Sequence, residues 1–409
     1  MKIVVPEKLK ILSSLFTLNG TPLYIVGGYV RNAILEIYNT DIDLASALKS
    51  GDVQKLLEGT QFLVREQSKK MGTVKIFTLD KSFECEYTPF RSDEYAVGGA
   101  HKPISVSFNA DIYADAKRRD FTCNALYYDI YKDKILDFYN GEKHTREKLL
   151  KVIHDDVFLS DGLRLLRLIR QSAELNFKID THTFELATSS ISQLKDISKD
   201  RIRVELEYML IADQKYGAGN YILGFQNLLK LGALKYITGT DTIKFKLLNH
   251  AEPISRLPAL LIDMGIKSEN ANDILGINGL KFSSRIIGQT ELVLRGYYEL
   301  TSRVKSAIDT RLLIQKYNSI YKILVGLNYK SKQLEMSYNY MKAKKIPLAL
   351  SSLAINGLEV IRGFPDLSVS KIGLVLNNLL AYTATSGNLN TKNILIKKIN
   401  TDVKGGKYL

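Results

Sequence analysis

One stretch near the amino terminus constrains the fold more than any other, because its hydrophobic periodicity changes twice within residues 24–45, YIVGGYVRNAILEIYNTDIDLA. The pattern predicts a short apolar strand at Tyr24–Val26 and a tight turn at Gly27-Gly28. A helix is predicted next, with apolar residues at Val30, Ala33, Ile34 and Ile37. The segment then returns to an extended strand, so a strand, a helix and a second strand follow one another closely.

The second strand of this segment holds two carboxylates. Residues two apart on a strand point to the same face, so we expect Asp41 and Asp43 to lie side by side. Like charges that close repel unless a cation lies between them, and hard oxygen ligands favour Mg²⁺. Gly27 and Gly28 offer backbone N–H groups to a phosphate, and Arg31 reaches the same anion. A glycine pair alone is usually only a turn and Asp-x-Asp alone is common on solvated edges, but together they predict a metal and nucleotide site.

The combination of GGYVR at residues 27–31 with DID at residues 41–43 resembles the tRNA nucleotidyltransferase and poly(A) polymerase family, which includes bacterial CCA-adding enzymes. The resemblance implies an α+β fold, in which a nucleotidyltransferase head with a small mixed sheet is followed by an all-helical neck, body and tail. It implies a catalytic head over residues 1–140, a neck for nucleotide selection over 141–210, a helical body over 211–300 and a tRNA-binding tail over 301–409.

The charge balance favours a polyanionic partner. The 409 residues include 57 lysines and arginines against 43 aspartates and glutamates, a formal net charge of +14. A lysine-rich proteome produces the same balance, so the charge supports a nucleic-acid partner without establishing one. The 45% hydrophobic and 24% charged residues are typical of a soluble globular protein, and the length allows about two to four domains.

Two cysteines, Cys85 and Cys123, are too few for a disulfide framework or a four-cysteine zinc site, which predicts a reducing, cytoplasmic environment. The first residues of the chain are interrupted by Pro6 and by charges, so they form no apolar signal segment. No run of about 18 apolar residues occurs, which predicts that the chain does not span a membrane. No feature of the sequence indicates an oligomeric state.

A third carboxylate is predicted on the strands that follow. The stretch MGTVKIFTLDKSFECEYTPFR, residues 71–91, indicates two strands around a turn, with Glu84 and Glu86 on one face of the second strand. A site with two aspartates commonly uses a third acid to coordinate a cation pair. The family's pattern is a glutamate before a short stretch ending in Phe-Arg, which selects Glu86 and places Arg91 at its end.

Residues 92–108, SDEYAVGGAHKPISVSF, are predicted as a mobile loop that contains Gly98-Gly99 and leads to a strand at 104–108. Relatives that add the full trinucleotide have this loop, whereas relatives that add only two cytidines have it shortened, and here it has full length. The family usually has paired arginines before the proline, where this chain has His101-Lys102.

The segment KRRDFTCNALYYDI, residues 117–130, matches the family motif RRDFT-x-NA except at its free position. The resemblance implies that Arg119 and Asp120 recognise the ribose hydroxyl and the phosphates of an incoming nucleotide. A carboxylate accepts a hydrogen bond from a 2′-OH, which separates NTP from dNTP.

A basic helix is predicted over residues 160–177, SDGLRLLRLIRQSAELNF, with Ser160 as its N-cap. Such a face normally meets solvent or nucleic acid, but its spacing matches the family's neck motif. The resemblance implies that Asp161 and Arg164 contact the base edge, the carboxylate accepting from the exocyclic amine of C or A and the arginine donating to the ring. Arg167 and Arg170 would then neutralise the triphosphate.

Three residues depart from the family pattern. Ser160 stands where the family often has Glu, and Gln171 stands where it has Phe after the last arginine. Asn32 stands where the family usually has Asp directly after the arginine, which weakens a pairing with an arginine.

Weaker signals lie elsewhere. Asp137 matches a family aspartate at the head–neck junction, but a turn-capping role explains it equally well. The pair His154-Asp155 suggests a phosphohydrolase metal site, which the small number of histidines disfavours. Arg201 and Glu205 are predicted to form an i,i+4 pair.

The remaining chain is predicted to be helical. Residues 305–345 carry nine lysines and arginines interleaved with tyrosines, which favours a track for RNA phosphates over an ordinary charged surface. The final segment resembles the tail of CCA-adding enzymes, with a helix-turn-helix containing Gly373, whereas poly(A) polymerases usually carry a different basic tail.

The resemblance implies template-independent addition of C, C and A to the 3′ end of tRNA from CTP and ATP. The 3′-OH attacks the α-phosphate in line and pyrophosphate leaves, with Mg²⁺ held by Asp41, Asp43 and Glu86. Three alternatives remain open: a partial enzyme that adds only CC or only A, a poly(A) polymerase, and an RNA-binding protein with an inactive head.

Overall fold

The chain folds into two compact units, Met1–Asp241 and Thr242–Leu409. In the computed structural model the described residues are 3–94, 104–387 and 389–408. The predicted α+β class is confirmed, because the first unit contains a mixed sheet and the described part of the second unit is helical. None of the described helices is long and apolar enough to cross a membrane. The finer division into head, neck, body and tail stays a prediction.

The first unit is built on a seven-stranded sheet. Its strands and those of two smaller pairs are β1 (Tyr24–Val26), β2 (Asp43–Ser46), β3 (Phe62–Ser68), β4 (Thr73–Thr78), β5 (Glu84–Pro89), β6 (Ser92–Glu94), β7 (Ser105–Ser107), β8 (Leu126–Asp129), β9 (Lys134–Asp137), β10 (Leu149–Leu150) and β11 (Lys178–Ile179). The order in the large sheet is β3-β4-β5-β2-β1-β8-β9. Only the β2–β5 pair among these neighbours is parallel, and the rest are antiparallel.

Helices cover and follow this sheet. In the first unit they are α1 (Glu7–Leu18), α2 (Gly28–Ile34), α3 (Ser50–Leu57), α4 (Ile112–Lys117), α5 (Gly141–Arg146), α6 (Val157–Ser160), α7 (Leu163–Leu175), α8 (Thr181–Ser189), α9 (Lys199–Leu210), α10 (Ala212–Tyr216), α11 (Tyr221–Lys230) and α12 (Ala233–Thr238). Helices α10 and α12 are each followed by a glycine at positive φ, Gly217 at 69° and Gly239 at 77°, a conformation that commonly ends a helix.

Alternation along the strands separates two apolar clusters. Ile25, Leu44 and Tyr87 point to one face, where α1 and α3 pack on them through residues such as Phe16. Val26, Ala45, Phe90, Ala116 and Tyr127 form the smaller cluster on the other face. The polar residues that share this second face of β2 and β5 are therefore held by strands whose opposite face is buried in the main core.

The second unit is made of helices in the described residues. They are α13 (Arg256–Asp263), α14 (Ala271–Leu275), α15 (Ser284–Ser302), α16 (Ala307–Lys316), α17 (Tyr321–Gly326), α18 (Ser331–Ala343), α19 (Gly357–Gly363), α20 (Ile372–Thr383) and α21 (Lys392–Lys404). The last three share an apolar cluster that includes Val360, Leu379 and Leu395. Gly373 lies in the first turn of α20, and open space surrounds the position of a Cβ there.

Several predicted boundaries differ from the structure. The strand at 24–26 is confirmed, but the helix after it ends at Ile34, so Ile37 lies outside it. Asp41 lies just before β2 and only Asp43 is in the strand. The predicted helix over 160–177 is interrupted at Asp161-Gly162, so Ser160 ends α6 and does not cap α7.

The loop predicted over 92–108 is described only at its ends. Residues 95–103, which include Gly98-Gly99 and His101-Lys102, lie outside the described residues. The flanking strands β6 and β7 pair antiparallel, Ser92 opposite Ser107.

Asp137 takes the turn-capping role. Its carboxylate accepts hydrogen bonds from the backbone N–H groups of Tyr139, Gly141 and Glu142 at 2.9–3.1 Å, which fixes the start of α5.

A close approach at this turn yields a stability prediction. A Cβ on Gly141 would lie 2.2 Å from the carbonyl oxygen of Thr122, so we expect Gly141→Ala to lower the free energy of unfolding by more than about 2 kcal/mol. Gly51 in α3 is the matched control, since open space surrounds its Cβ position and alanine favours helix by up to about 1 kcal/mol. Urea unfolding of both variants measures the difference. Equal stability of the two variants would contradict the packing described.

Candidate functional site

The parallel pairing of β2 with β5 brings two acids together. Asp43 lies directly opposite Glu86, and the backbone N–H of Glu86 donates to the carbonyl of Ile42 at 3.0 Å. Both acids are exposed, because their strand neighbours Leu44 and Tyr87 point into the core. Asp41 precedes the strand, and its backbone N–H donates to the Asn39 side-chain oxygen at 3.0 Å. The structure thus places Asp43 and Glu86 side by side, with Asp41 two residues before β2 begins.

The charges around Asp43 leave its carboxylate poorly compensated. The pKa of Asp43 is raised to about 6, chiefly because the surrounding protein desolvates the carboxylate and then because of the negative charges of Asp41 and Glu86, while Arg119 opposes the rise. The side chain nevertheless reaches solvent, since it lines an open cleft. A bound cation would relieve this repulsion.

A metal ion fits this donor set in one specific way. The described residues contain no group of three or more His, Cys, Asp or Glu side chains arranged to hold a metal together. Mg²⁺, however, is commonly held by one or two carboxylates and completed by water and substrate phosphates. Asp41 and Asp43 both line the cleft and match that description, whereas Glu86 faces Asp43 without lining it.

The cleft itself is an open cavity of about 430 Å³ in the first unit. Of the predicted site residues, the structure brings all but Glu86 to its wall, and these are Gly27, Gly28, Arg31, Asp41, Asp43, Arg119, Asp120, Asp161, Arg164, Arg167 and Arg170. The wall also includes residues to which the sequence analysis gave no role, namely Asp93, Arg118, Asn124, Leu163, Glu174, Lys215 and Tyr216.

The glycine turn is shaped by a close neighbour. Gly27 has φ +69°, and a Cβ there would lie 3.2 Å from an Nη of Arg119. Glycine is therefore needed at this position both for its backbone conformation and for the approach of Arg119.

Arg31 extends from α2 into a polar, buried environment. Its Nε and Nη2 donate to the Asn32 side-chain oxygen at 3.1 and 2.9 Å, and its Nη1 donates to the Asn124 side-chain oxygen at 2.6 Å. Tyr216 lies beside it, with the guanidinium 5.9 Å from the ring centre. These acceptors are all neutral.

Asp115 is a positioning acid that the sequence analysis missed. It is fully buried and accepts hydrogen bonds from Arg118 at 2.8 Å, Arg119 at 3.1 Å and the Tyr127 hydroxyl at 2.5 Å. Burial raises the pKa of Asp115, but the charges of Arg119 and Arg118 lower it more, so the carboxylate is ionised. The i,i+3 and i,i+4 spacing before the two arginines was the available signal.

Asp120 links the segment that follows α4 to α7. Its carboxylate accepts from Arg167 through Nε at 2.8 Å and Nη2 at 2.7 Å, and from the Asn124 amide at 2.9 Å. Burial raises the pKa of Asp120, but Arg167 and the bond from Asn124 lower it well below its usual range. Both Arg167 nitrogens contact the same oxygen, Oδ2, and Asn124 contacts the other, so each oxygen of Asp120 is held in a fixed direction.

The break before α7 places the two residues of the neck motif. Asp161 has an extended backbone and accepts from the Leu163 N–H at 3.0 Å and from Arg201 at 3.2 Å. Arg164 is buried and donates to the backbone carbonyls of Val157 at 3.2 Å and Arg118 at 2.7 Å. Both side chains are thus held by the protein at the cleft wall.

Arg170 has its charge paired within the protein. It donates to Glu205 at 2.6 Å and to both oxygens of Glu174 at 2.8 Å. The sequence predicted an Arg201–Glu205 pair; in the structure Arg201 bonds to Asp161 and Arg170 bonds to Glu205, and each bond ties α9 to the region of α7.

At the His154-Asp155 pair, which the sequence analysis disfavoured as a metal site, the aspartate contacts a different histidine. Asp155 bonds to His182 at 2.9 Å, with both side chains exposed. Cys85 and Cys123 are buried and free.

Two family models match the chain. Residues 23–151 match the poly A polymerase head domain. Residues 176–238 match a model described as a probable RNA and SrmB-binding site of polymerase A.

Sequence relatives are named CCA-adding enzymes. The chain is 29% identical over 251 residues to the enzyme of Staphylococcus aureus (strain MRSA252), a match that covers 61% of this chain and only 59% of that relative. It is 25% identical over 405 residues to the enzyme of Staphylococcus epidermidis, covering 94% and 95% of the two chains.

Solved structures share the fold. The CCA-adding enzyme of Bacillus stearothermophilus in complex with CTP superposes with a TM-score of 0.77 at 20% identity, covering 97% of this chain and 98% of that one. The CCA-adding enzyme of Thermotoga maritima complexed with tRNA gives a TM-score of 0.69 at 20% identity, covering 98% and 97%.

The raised pKa of Asp43 leads to a pH prediction. Because the folded state holds this proton more tightly, the contribution of Asp43 to stability is present below its ordinary value of 3.8 and is lost as the pH rises through about 6. We expect Asp43→Asn, in EDTA, to have a higher midpoint of thermal unfolding than the natural chain at pH 7.5, and a smaller advantage at pH 4.5.

Adding Mg²⁺ at pH 7.5 should stabilise the natural chain more than Asp43→Asn. Glu84→Gln, which removes an exposed carboxylate from the same face of β5, is the control and should respond to Mg²⁺ like the natural chain. An advantage of Asp43→Asn that does not change with pH would show that the repulsion is absent.

Proposed function

Since the chain belongs to the tRNA nucleotidyltransferase and poly(A) polymerase family, we propose that it adds C, C and A to the 3′ end of tRNA from CTP and ATP and releases pyrophosphate. The observation that carries the proposal is the cleft in which two carboxylates face a wall of arginines. The CCA-adding relatives support it, as do solved structures of this fold that contain CTP, ATP or tRNA.

In this proposal the acidic residues of the cleft bind the metal ion, and its basic residues and backbone N–H groups bind the triphosphate. Enzymes of this family use a divalent metal ion, and we assign Mg²⁺ to Asp41 and Asp43, where it would polarise the attacking 3′-OH and the phosphates. Glu86, directly opposite Asp43, adds a third negative charge beside the proposed metal site and thereby strengthens its attraction for a cation. Gly27, Gly28, Arg31 and Arg119 bind the triphosphate, which lies in line for attack at the α-phosphate.

Sugar recognition falls to Asp120. Its carboxylate is held ionised by Arg167, so it is an acceptor with a fixed direction. It accepts from the ribose 2′-OH and thereby selects NTP over dNTP. Arg167 keeps this acceptor in place and adds positive charge beside the phosphates. Arg170, paired with two glutamates, positions the wall of the cleft and contributes less to the triphosphate.

Base selection falls to Asp161 and Arg164. The carboxylate accepts from the exocyclic amine of C or A, and the guanidinium donates to the ring, whereas U and G present the opposite groups. The N–H of Leu163 and two backbone carbonyls already orient these side chains, so little ordering is required when the base binds.

The second unit supplies the surface for tRNA in this proposal. Helices α16 to α18 carry lysines among tyrosines, and two of the rings, Tyr321 and Tyr338, stack at 4.3 Å. The turn between α19 and α20, near Gly373, is the tail region assigned to the same partner. We place the enzyme in the cytoplasm, where its substrates occur and where Cys85 and Cys123 stay reduced.

One assay separates the possible activities. Purified protein is incubated with tRNA that ends at its discriminator base and with each NTP singly and in combination. Ordered incorporation of C, C and A supports the proposal. Addition that stops after CC indicates a partial enzyme, addition of A alone indicates an A-adding enzyme or a poly(A) polymerase, and RNA binding without incorporation indicates an inactive head.

Removing one acid of the site should abolish transfer. We expect Asp41→Ala to lower the rate of C addition by at least about 100-fold, because the charge that holds the metal is lost. Tight tRNA binding should persist, since the tRNA surface is assigned to the second unit. Glu84→Gln is the control and should retain the natural rate. Single-turnover incorporation of labelled CMP measures both variants, and an Asp41→Ala enzyme of near-natural rate would remove this residue from the mechanism.

Changing the base-selecting acid should alter fidelity. Asp161→Ala is expected to retain metal binding and to lose about 10- to 100-fold of its discrimination against UTP and GTP. Asp161→Asn has the same size but places an amide donor where the carboxylate accepts, so it should disfavour C and A directly. Competition between CTP and UTP, read by sequencing the product ends, measures the ratio. Full selectivity in both variants would disprove the template role of Asp161.

A further inference from the structure

Two residues that depart from the family pattern, Asn32 and Gln171, lie on one hydrogen-bonded network. Asn32 accepts from Arg31, and Arg31 donates to the side-chain oxygen of Asn124. The Asn124 amide donates in turn to Gln171 and to Asp120, both at 2.9 Å. The network links residues that are 93 and 47 positions apart along the chain.

The bonding pattern leaves each amide one orientation. Asn124 must direct its Nδ2 toward Asp120 and Gln171, which only accept in these bonds, and its oxygen toward Arg31, which only donates. Asn32 must direct its oxygen toward the same guanidinium. The Nδ2 of Asn32, in a fully buried side chain, consequently has no hydrogen-bond partner.

An orphaned buried donor is costly, because the group has lost its water and gained nothing. An aspartate at this position would present two oxygens to the guanidinium and avoid that cost. The amide therefore sacrifices stability at this position. In return, the positive field of Arg31 is not cancelled by a counter-ion, because the two side-chain oxygens that contact the guanidinium closely belong to neutral amides.

Neighbouring arginines of the cleft differ in this respect. Arg119 is paired with Asp115, Arg167 with Asp120, and Arg170 with Glu174 and Glu205. Among the described residues no carboxylate is recorded within ion-pair distance of Arg31, a residue that is only 5% exposed and lines the cleft. A buried charge without a counter-ion attracts an anionic ligand more strongly than a paired one does.

We propose that Asn32 and Gln171 are positioning residues that hold Arg31 as an unpaired cation for the triphosphate of the incoming nucleotide. Asn32 orients the guanidinium without neutralising it. Gln171 accepts from the Asn124 amide and so fixes the Asn124 oxygen that accepts from Nη1 of Arg31. The inference rests on the proposed function only in taking a nucleoside triphosphate as the ligand.

The test is the affinity for CTP in Mg²⁺ without tRNA, measured by calorimetry. Asn32→Asp adds the missing counter-ion at constant volume, and we expect the Kd for CTP to rise about tenfold at low salt. The unfolding midpoint should stay the same or rise, because an ion pair replaces an orphaned donor. The difference in Kd from the natural chain should shrink as salt is added, because screening weakens the field of Arg31.

Asn19→Asp is the matched control. It adds the same charge at an exposed position after α1 that does not line the cleft, and should leave the Kd unchanged. Equal CTP affinity of Asn32→Asp and the natural chain at low salt would overturn the proposal. A fall in the unfolding midpoint that accompanies weaker binding would also overturn it, because Asn32 would then serve only the fold.

Gln171→Leu tests the other end of the network and remains informative if Asn32→Asp does not fold. It removes an acceptor from Asn124, which retains its bond to Asp120, so we expect a Kd for CTP about threefold higher. In the double variant the two effects should combine to less than their product, because an Arg31 that is already paired depends less on Asn124. An unchanged Kd for Gln171→Leu, or an exact product in the double variant, would exclude Gln171 from the network's role.

These readouts separate the inference from the proposed function. If the natural chain binds CTP and Asn32→Asp weakens that binding, the inference stands even where no C, C and A is added to tRNA. If addition is observed while Asn32→Asp binds CTP as tightly as the natural chain, the function stands and the inference fails.

Discussion

The parallel pairing of β2 with β5 is the constraint on which the site depends. It sets Asp43 opposite Glu86 with Asp41 close by, an arrangement that the chain by itself disfavours, as the raised pKa of Asp43 indicates. The repulsion is tolerated because the other face of the same two strands is buried in the main core through Leu44 and Tyr87. Each fully buried side chain of that size contributes about 1.5–3 kcal/mol. Burial of the apolar face thus keeps the two strands in register and holds the acids close together, and a bound cation would neutralise their repulsion.

The opposite wall of the cleft holds many positive charges close together. Nine cationic and six acidic side chains line the cleft, so it has an excess of positive charge and still pairs many of its arginines. Pairing has two consequences: it fixes the direction of a guanidinium, and it cancels much of its field. Arg170, between two glutamates, is well fixed and weakly attractive to anions, whereas Arg31 is fixed by amides and keeps its field. Whether an arginine is bonded to a carboxylate or to an amide therefore decides whether it mainly orients the cleft wall or attracts an anionic ligand.

The sequence predicted the parts of this site that depend on local signals. The strand at 24–26, the glycine turn and the acids at 41 and 43 follow from periodicity and spacing, and the family resemblance added the segment at 118–120 and the basic helix. The predictions are wrong where contacts with residues distant in the sequence determine the local structure. The interruption at Asp161-Gly162 occurs where Gly162 packs against Gln193, with 2.9 Å from its Cβ position to that side chain. No local pattern at residues 160–177 reports that contact.

The ion pairs between α7 and α9 could not be predicted from the sequence either. Arg201 and Glu205 have ideal spacing for each other, yet Arg201 bonds to Asp161, and Arg170 bonds to Glu205. A helical i,i+4 pair on a surface is worth only a few tenths of a kcal/mol, so partners from a neighbouring helix replace it readily. Asp115 was missed for a related reason, because its importance comes from full burial and not from its spacing alone.

The interruption before α7 has a structural consequence of its own. Because α6 ends at Ser160 and Asp161 is extended, the first turn of α7 faces the head, where Arg164 donates to the carbonyl of Arg118. One turn further, Arg167 bonds to Asp120. The groups proposed to select the base and the group proposed to select the sugar are therefore joined through one helix and one three-residue segment. A shift at either wall moves the other, so base choice and sugar choice are expected to be coupled properties of a single bonded unit and not of two separate subsites.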